Sequence, residues 1–307
     1  MITLKKDREL VYLARWSELE EMAGFSSSLD PSITELQEII GRYKGEHGTV
    51  KCGLKSCQTP HSKGYIISTQ SGNITNIGHV CGKKYFGVDF ETMSNKLDMD
   101  FDDKENRELI DKFSDTDLPS LQDWIKEKQK ISSSINKGLN PIRYGRAGEK
   151  IPKSIQSTIF HMQKNKTVQL TIERKLTQSE RELAETSNNS NRNQFKTEIV
   201  GIVKGIECLY PENDLNILLK QLKEEIENFL NLNPSNLTHK ELKRWVKWIR
   251  ETPITKQKIE NSILYAQLFL TYENLNTFYK ILNDEKDKNI WKSFLTPFEA
   301  LSKLQHQ

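Results

Sequence analysis

Residues 50–87, VKCGLKSCQTPHSKGYIISTQSGNITNIGHVCGKKYFG, decide how this chain is read. They carry Cys52, Cys57, His61 and Cys81 as Cys-x4-Cys-x3-His, then nineteen residues, then Cys, and so hold three of the chain's four cysteines. Thiolate and imidazole are the ligands of a tetrahedral structural Zn²⁺, and Cys3His is one of its common sets. Between the ligand groups, residues 64–70 (GYIISTQ) have strand character. Ser71-Gly72-Asn73 is a hairpin turn, and residues 74–77 form the returning strand. The expected unit, 45–90, is a small zinc-stapled β-hairpin of zinc-ribbon or treble-clef type. It has so little core of its own that metal binding should drive its folding.

Four protein ligands would close the coordination sphere, which makes the site structural rather than catalytic. His61 completes the first loop's set. The alternative fourth ligand is His79, as His-x-Cys with Cys81, and His47 is a more distant third choice. The spacing of His61, Asn73 or Asn76, and His79 is a poor match to a His-Asn-His nuclease site.

The run Cys-x4-Cys-x3-His … Asn-Ile-Gly-x-x-Cys-Gly-Lys-Lys-Tyr-Phe-Gly resembles the small Cys3His fingers of uncharacterised bacterial and phage proteins. The resemblance covers about residues 48–90. It implies a zinc-stapled interaction module, frequently associated with nucleic acid, and it implies no reaction.

Outward from this stretch the chain is polar and reads as helical. Its 307 residues are more than one typical domain, and a hydrophobic share of 36% fits helical pieces with much surface. No window approaches the roughly 18 apolar residues of a membrane span, and residues 1–16 have charges where a secretion signal is apolar, so a cytoplasmic protein with reduced thiols is expected. The fold class expected is mainly α, with the zinc-stapled hairpin near the N-terminus. Residues 1–44 read as N-terminal helices, from Leu10, Leu13, Trp16 (or Ser17) and Leu19 and then Ile33, Leu36, Ile39 and Ile40. Residues 91–120 read as an acidic connector, helical around 104–114. Residues 121–210 read as a helical hairpin with coiled-coil character, on the stripes Ile151 to Leu183 and Phe195 to Leu209, joined by the polar turn 185–191. Residues 211–307 read as a C-terminal helical domain of four helices, with a capping-box spacing at Thr238 and Glu241 and a helix end at Pro253. Cys208 reads as a small buried hydrophobe.

The formal net charge of +3 hides segregation: residues 41–90 carry seven Lys/Arg against two Asp/Glu, and residues 91–120 carry four against ten. Such blocks suit local anionic contacts or docking between modules. Three basic groups are candidates for nucleic acid. Lys83, Lys84 and Tyr85 follow the last cysteine, although Tyr85 and Phe86 can equally pack beneath the finger. Lys137, Arg143, Tyr144, Arg146 and Lys150 read as a glycine-containing loop whose cations suit phosphates. Lys240, Lys243, Arg244, Lys247 and Arg250 share one side of a helix, a pattern that is also common on solvated faces.

No phosphate-binding loop, dinucleotide fingerprint, metalloprotease helix or nucleophile elbow occurs. The expectation is a non-enzymatic, zinc-stabilised protein that binds DNA or RNA, with a helical region suited to a larger complex or a homodimer. A protein–protein adaptor with a structural finger is the alternative. A nucleic-acid-processing enzyme comes third.

Overall fold

The computed structural model describes residues 2–6, 9–45, 49–146, 148–186 and 195–305. His47 and residues 187–191 of the polar turn lie outside these. In order, the strands and helices are β1 (Ile2–Lys6), β2 (Glu9–Leu13), α1 (Trp16–Glu20), β3 (Leu36–Lys44), β4 (Val50–Lys51), β5 (Pro60–His61), β6 (Lys63–Thr69), β7 (Ile74–Ile77), α2 (His79–Lys112), α3 (Leu118–Tyr144), α4 (Lys153–Lys164), β8 (Gln169–Lys175), α5 (Gln178–Thr186), β9 (Phe195–Ile202), α6 (Leu215–Leu230), α7 (His239–Phe269), α8 (Tyr272–Asn276) and α9 (Glu285–Gln305). The chain forms two compact units: Met1–Lys112 with Asn233–Val246, and Phe113–Leu232 with Lys247–Gln307.

The first unit is built on a five-stranded antiparallel sheet in the order β2-β1-β3-β6-β7. Ile66 and Ile67 are both fully buried because successive strand side chains point to opposite faces and both faces are covered. Ile66 joins Ile2, Leu4, Leu19 and Tyr43 in one cluster, whereas Ile67 joins Ile39, Cys52, Leu54, Phe90, Leu97 and Phe101 in another. The reading of residues 1–44 as helices is therefore corrected for 2–6, 9–13 and 36–44, which are strands; among the described residues of this stretch the α-helix is Trp16–Glu20. Two register shifts in β3, at Leu36/Glu38 and Ile39/Gly41, explain the error. A bulge adds a residue to one strand, so the period-two alternation slips and Leu36, Ile39 and Ile40 mimic helical spacing.

The acidic residues 91–112 are helical and form much of α2, which changes direction at Gly87 (φ 61°). Asp98, Asp102 and Glu105 lie on successive turns and converge on Arg42 of β3, with N–O distances of 3.2, 3.0 and 2.9 Å. The guanidinium also sits 4.8 Å over the Phe101 ring. Much of the acidic block thus has an internal cationic partner.

The second unit is mainly helical. α6 opens where Asp214 accepts from Asn216 N and Ile217 N, and it buries Leu215, Leu218, Leu219, Leu222, Ile226 and Phe229. At the start of α7, which belongs to the first unit, Thr238 N donates to Glu241 at 2.8 Å and Glu241 N to the Thr238 hydroxyl at 3.4 Å, as the capping box requires. α7 continues through Pro253 rather than ending there. A proline removes one amide donor, and buried Ile259, Ile263, Ala266 and Phe269 anchor the helix beyond it. The expected helical hairpin of 121–210 is corrected in its second half: Ile155, Ile159 and Met162 lie on α4 and Leu183 on α5, but Ile172 falls on β8 and Phe195, Ile199 and Ile202 on β9, an antiparallel pair with a register shift at Leu170/Thr171. Cys208 is buried as read, and burial pushes its thiol up to about 12.

Candidate metal centre

Cys52 follows β4 and Cys57 ends the turn after it, where Cys57 N donates to Leu54 O at 3.0 Å and Cys52 N to Thr59 O at 3.0 Å. Gly53 N donates to Asn76 O at 2.8 Å, so this loop lies against β7. A Cβ on Gly53 would stand 2.0 Å from the Thr75 hydroxyl, and only glycine allows this approach. Cys81 comes from the opposite side, in the first turn of α2. The β6–β7 hairpin connects the two sides and sets their separation.

The sulfurs of Cys52, Cys57 and Cys81 all lie within 4.8 Å of one another, and Cys57 and Cys81 are 3.1 Å apart. Ligand sulfurs around a tetrahedral ion with bonds of ~2.3 Å stand ~3.8 Å apart. The three could therefore hold a metal ion. Their electrostatics differ. The Thr59 hydroxyl, 3.2 Å from Cys57 Sγ, holds the Cys57 thiol down to about 7, helped by Cys81. Burial pushes Cys81 up to about 12, and the neighbouring Cys57 adds to the shift. Burial also raises Cys52, against amide donation from Leu54 and Gly78.

His61 lies beside this cluster without sharing the sulfurs' common 4.8 Å. β5 pairs it with Val50 of β4. Its Nδ1 is 2.8 Å from the Tyr43 hydroxyl, and its ring stacks on Tyr43 at a centroid distance of 5.8 Å. Nε2 is buried and has no hydrogen-bond partner among the described residues. A Cβ on Gly78 would stand 3.3 Å from that nitrogen, and Gly78 is the residue whose amide reaches the Cys52 sulfur. The unpartnered nitrogen thus borders the thiols. Burial lowers the His61 pKa, which keeps the ring neutral and able to accept a metal. His79 is exposed and turns to Tyr65 and Phe90, with ring centroids 6.2 and 6.0 Å away.

Sequence reading missed Tyr43 and weighed Asn76 only for a nuclease pattern, and both are buried. Asn76 donates to Lys51 O at 2.8 Å and to the Tyr43 hydroxyl at 3.4 Å, linking the hairpin to the His61 support. No spacing rule marks Tyr43, which lies on a strand that reads as helix.

The basic candidates separate on inspection. Lys83 pairs with Glu91 at 2.7 Å, and Lys84 is exposed over the Tyr85 ring. Tyr85 and Phe86 are half-buried against the cluster that holds Cys52, and Tyr85 accepts a hydrogen bond from Ser56. Residues 137–144 are the end of α3 rather than a loop. Arg143 turns inward, 2.6 Å from Cys208 O and 3.2 Å from Asp214, at 9% side-chain exposure, so it is not available to phosphate. Tyr144, Arg146 and Lys150 are exposed, as is Lys137. On α7, Lys240, Lys243, Arg244, Lys247 and Arg250 are exposed, while Leu242, Trp245 and Val246 are buried. No helix among the described residues is long and apolar enough to cross a membrane.

The chain matches no family model, no curated protein and no solved structure.

Proposed function

We propose that this chain is a zinc-stapled nucleic-acid-binding protein in which Cys52, Cys57, Cys81 and Nε2 of His61 hold a structural Zn²⁺. The observation that carries the metal assignment is the convergence of three thiols from a turn and a helix start beside a buried imidazole nitrogen with no partner. A thiolate-rich set favours zinc over the harder divalent ions. With all four positions taken, the ion acts as a staple that ties the loop after β4 to α2 across the hairpin.

Exposed cations support the nucleic-acid reading: Lys84 beside the thiols, Lys240, Lys243 and Arg244 along α7, and Lys137 with Lys150. Such groups bind phosphate through charge and counterion release, with no need for a catalytic centre. Protein docking is the second reading, favoured by Val80 and Val88 of α2, which are 78% and 74% exposed close to Cys81 in sequence.

The test joins two measurements. Metal content and the thiolate-to-cobalt absorption of the Co²⁺-substituted protein report the site, and a Cys81→Ser variant should lose both. Binding of the zinc-loaded protein to labelled single-stranded DNA, duplex DNA and RNA over a salt series reports the activity. Affinity should fall steeply with salt. A protein that binds none of the three at low salt, yet copurifies with a nuclease-resistant partner, replaces the nucleic-acid reading with docking.

A further inference from the structure

The second unit contains a cavity of about 670 Å³ between α3, the residues just after Gly148, and α9. This volume is in the range of small-ligand sites, roughly 300–1,000 Å³. Its walls combine two chemistries. The α9 wall is apolar, with Ile290, Phe294, Pro297 and Phe298. α3 and the residues after Gly148 bring Lys137 and Lys150 beside Pro141, and neither lysine side chain forms an ion pair or hydrogen bond among the described residues. Ser134, Ser293 and one carboxylate, Glu149, complete the polar rim.

The aromatic wall is a supported column. Trp291 is fully buried and stacks on Phe294 at 5.0 Å and 21°, and Phe294 meets Phe298 at 5.4 Å. Residues 290, 294, 297 and 298 fall one and two helical turns apart, so they share one side of α9. Gly138 leaves room for this side: a Cβ there would meet Leu270 at 3.0 Å and the Phe298 ring at 3.4 Å. An apolar aromatic wall with its rings held at 49° to each other, in one cavity with two ammonium groups that have no partner among the described residues, is complementary to a ligand with a planar ring at one end and a phosphate at the other.

The geometry points to this cavity as a binding pocket for one nucleotide of a single-stranded nucleic acid, its base on the Phe294–Phe298 wall and its phosphate between Lys137 and Lys150. This rests on the nucleic-acid reading above and assigns it a place in the second unit. Base stacking on aromatics supplies sequence-tolerant affinity, and the lysines add a salt-dependent part. Glu149 is suited to accept a hydrogen bond from an exocyclic amine.

The experiment uses the full zinc-loaded chain, a fluorescein-labelled oligo(dT), free adenosine 5′-monophosphate, and dodecanoate as an acyl control. Lys137→Gln/Lys150→Gln alters only exposed side chains and keeps the fold, and Phe298→Leu removes the end of the column. Each should weaken oligo(dT) binding by about tenfold, the double lysine variant with a shallower salt slope. If the parent binds oligo(dT) and both variants bind equally well, the pocket assignment is overturned while the nucleic-acid reading stands. If adenosine 5′-monophosphate binds in a lysine-dependent way and no polynucleotide does, the pocket stands and that reading fails. Dodecanoate binding without either nucleotide probe overturns the occupant named here.

Discussion

The Tyr43 hydroxyl lies 2.8 Å from Nδ1 of His61, and the opposite nitrogen of the same ring is buried without a hydrogen-bond partner among the described residues. An imidazole that donates its Nδ1 proton to the phenol oxygen presents Nε2 as a lone-pair donor, which is the form a metal needs. Tyr43 is thereby a positioning residue for the proposed fourth ligand.

Tyr43→Phe keeps the buried ring and deletes only the contact to His61 and Asn76. Outer-shell partners of metal ligands typically change affinity by ~10–100-fold. The variant should bind Zn²⁺ at least about tenfold more weakly, read by competition with a chromophoric chelator, while His79→Ala leaves affinity unchanged. The reverse ranking would make His79 the ligand.

Metal capture should release protons in a pH-dependent number. Above about pH 7 the Cys57 thiol, lowered by Thr59, is already a thiolate, whereas Cys52 and Cys81, raised by burial, are protonated. Binding there expels two protons, and below the Cys57 value it expels three, because the thiolate is the ligand form. Affinity therefore rises with pH, more steeply on the acid side. Calorimetry in buffers of different ionisation enthalpy counts the protons, and a constant count across the Cys57 value contradicts this assignment of the thiols.

Arg143→Ala should separate stability from binding. The Arg143–Asp214 pair is largely buried, and Asp214 also caps α6. Removing one partner of a buried pair costs ~3–5 kcal/mol. Thermal unfolding of the second unit should shift clearly downward, and nucleic-acid affinity at a temperature where the variant is folded should match the parent. An unchanged melting temperature with lost binding would return Arg143 to the surface role that its sequence context suggests.

Arg42→Lys tests the clamp on α2. One ammonium replaces a planar fork shared by Asp98, Asp102 and Glu105 and stacked on Phe101. The three carboxylates are each more than a third exposed, so screening reduces the loss. A destabilisation of ~1–2 kcal/mol is expected in urea unfolding, with hydrogen exchange in residues 98–112 accelerated. A neutral outcome would mean that the buried side chains of α2, Phe90, Leu97 and Phe101 among them, and its contacts to Tyr65 and Lys5 hold it without the Arg42 clamp.

How much the sequence determined follows from the range of the forces involved. Ligand chemistry at fixed spacing, the β6–β7 hairpin, the Thr238 start and the helical character of 215–230 are local, and one continuous run of the chain suffices to specify each. β1, β3, β8 and β9 were not legible, because a strand is stabilised by partners distant in the chain and the bulges in β3 and β8–β9 disguised the alternation that would have marked it. The destination of a charge is likewise a tertiary matter. Lys137 and Arg143 stand six residues apart in one basic segment, yet one reaches solvent beside a ring column from α9 while the other turns inward to Asp214. Only the fold brings Tyr43, from the strand misread as helix, to His61, and so gives a ligand suggested by spacing the orientation that its chemistry requires.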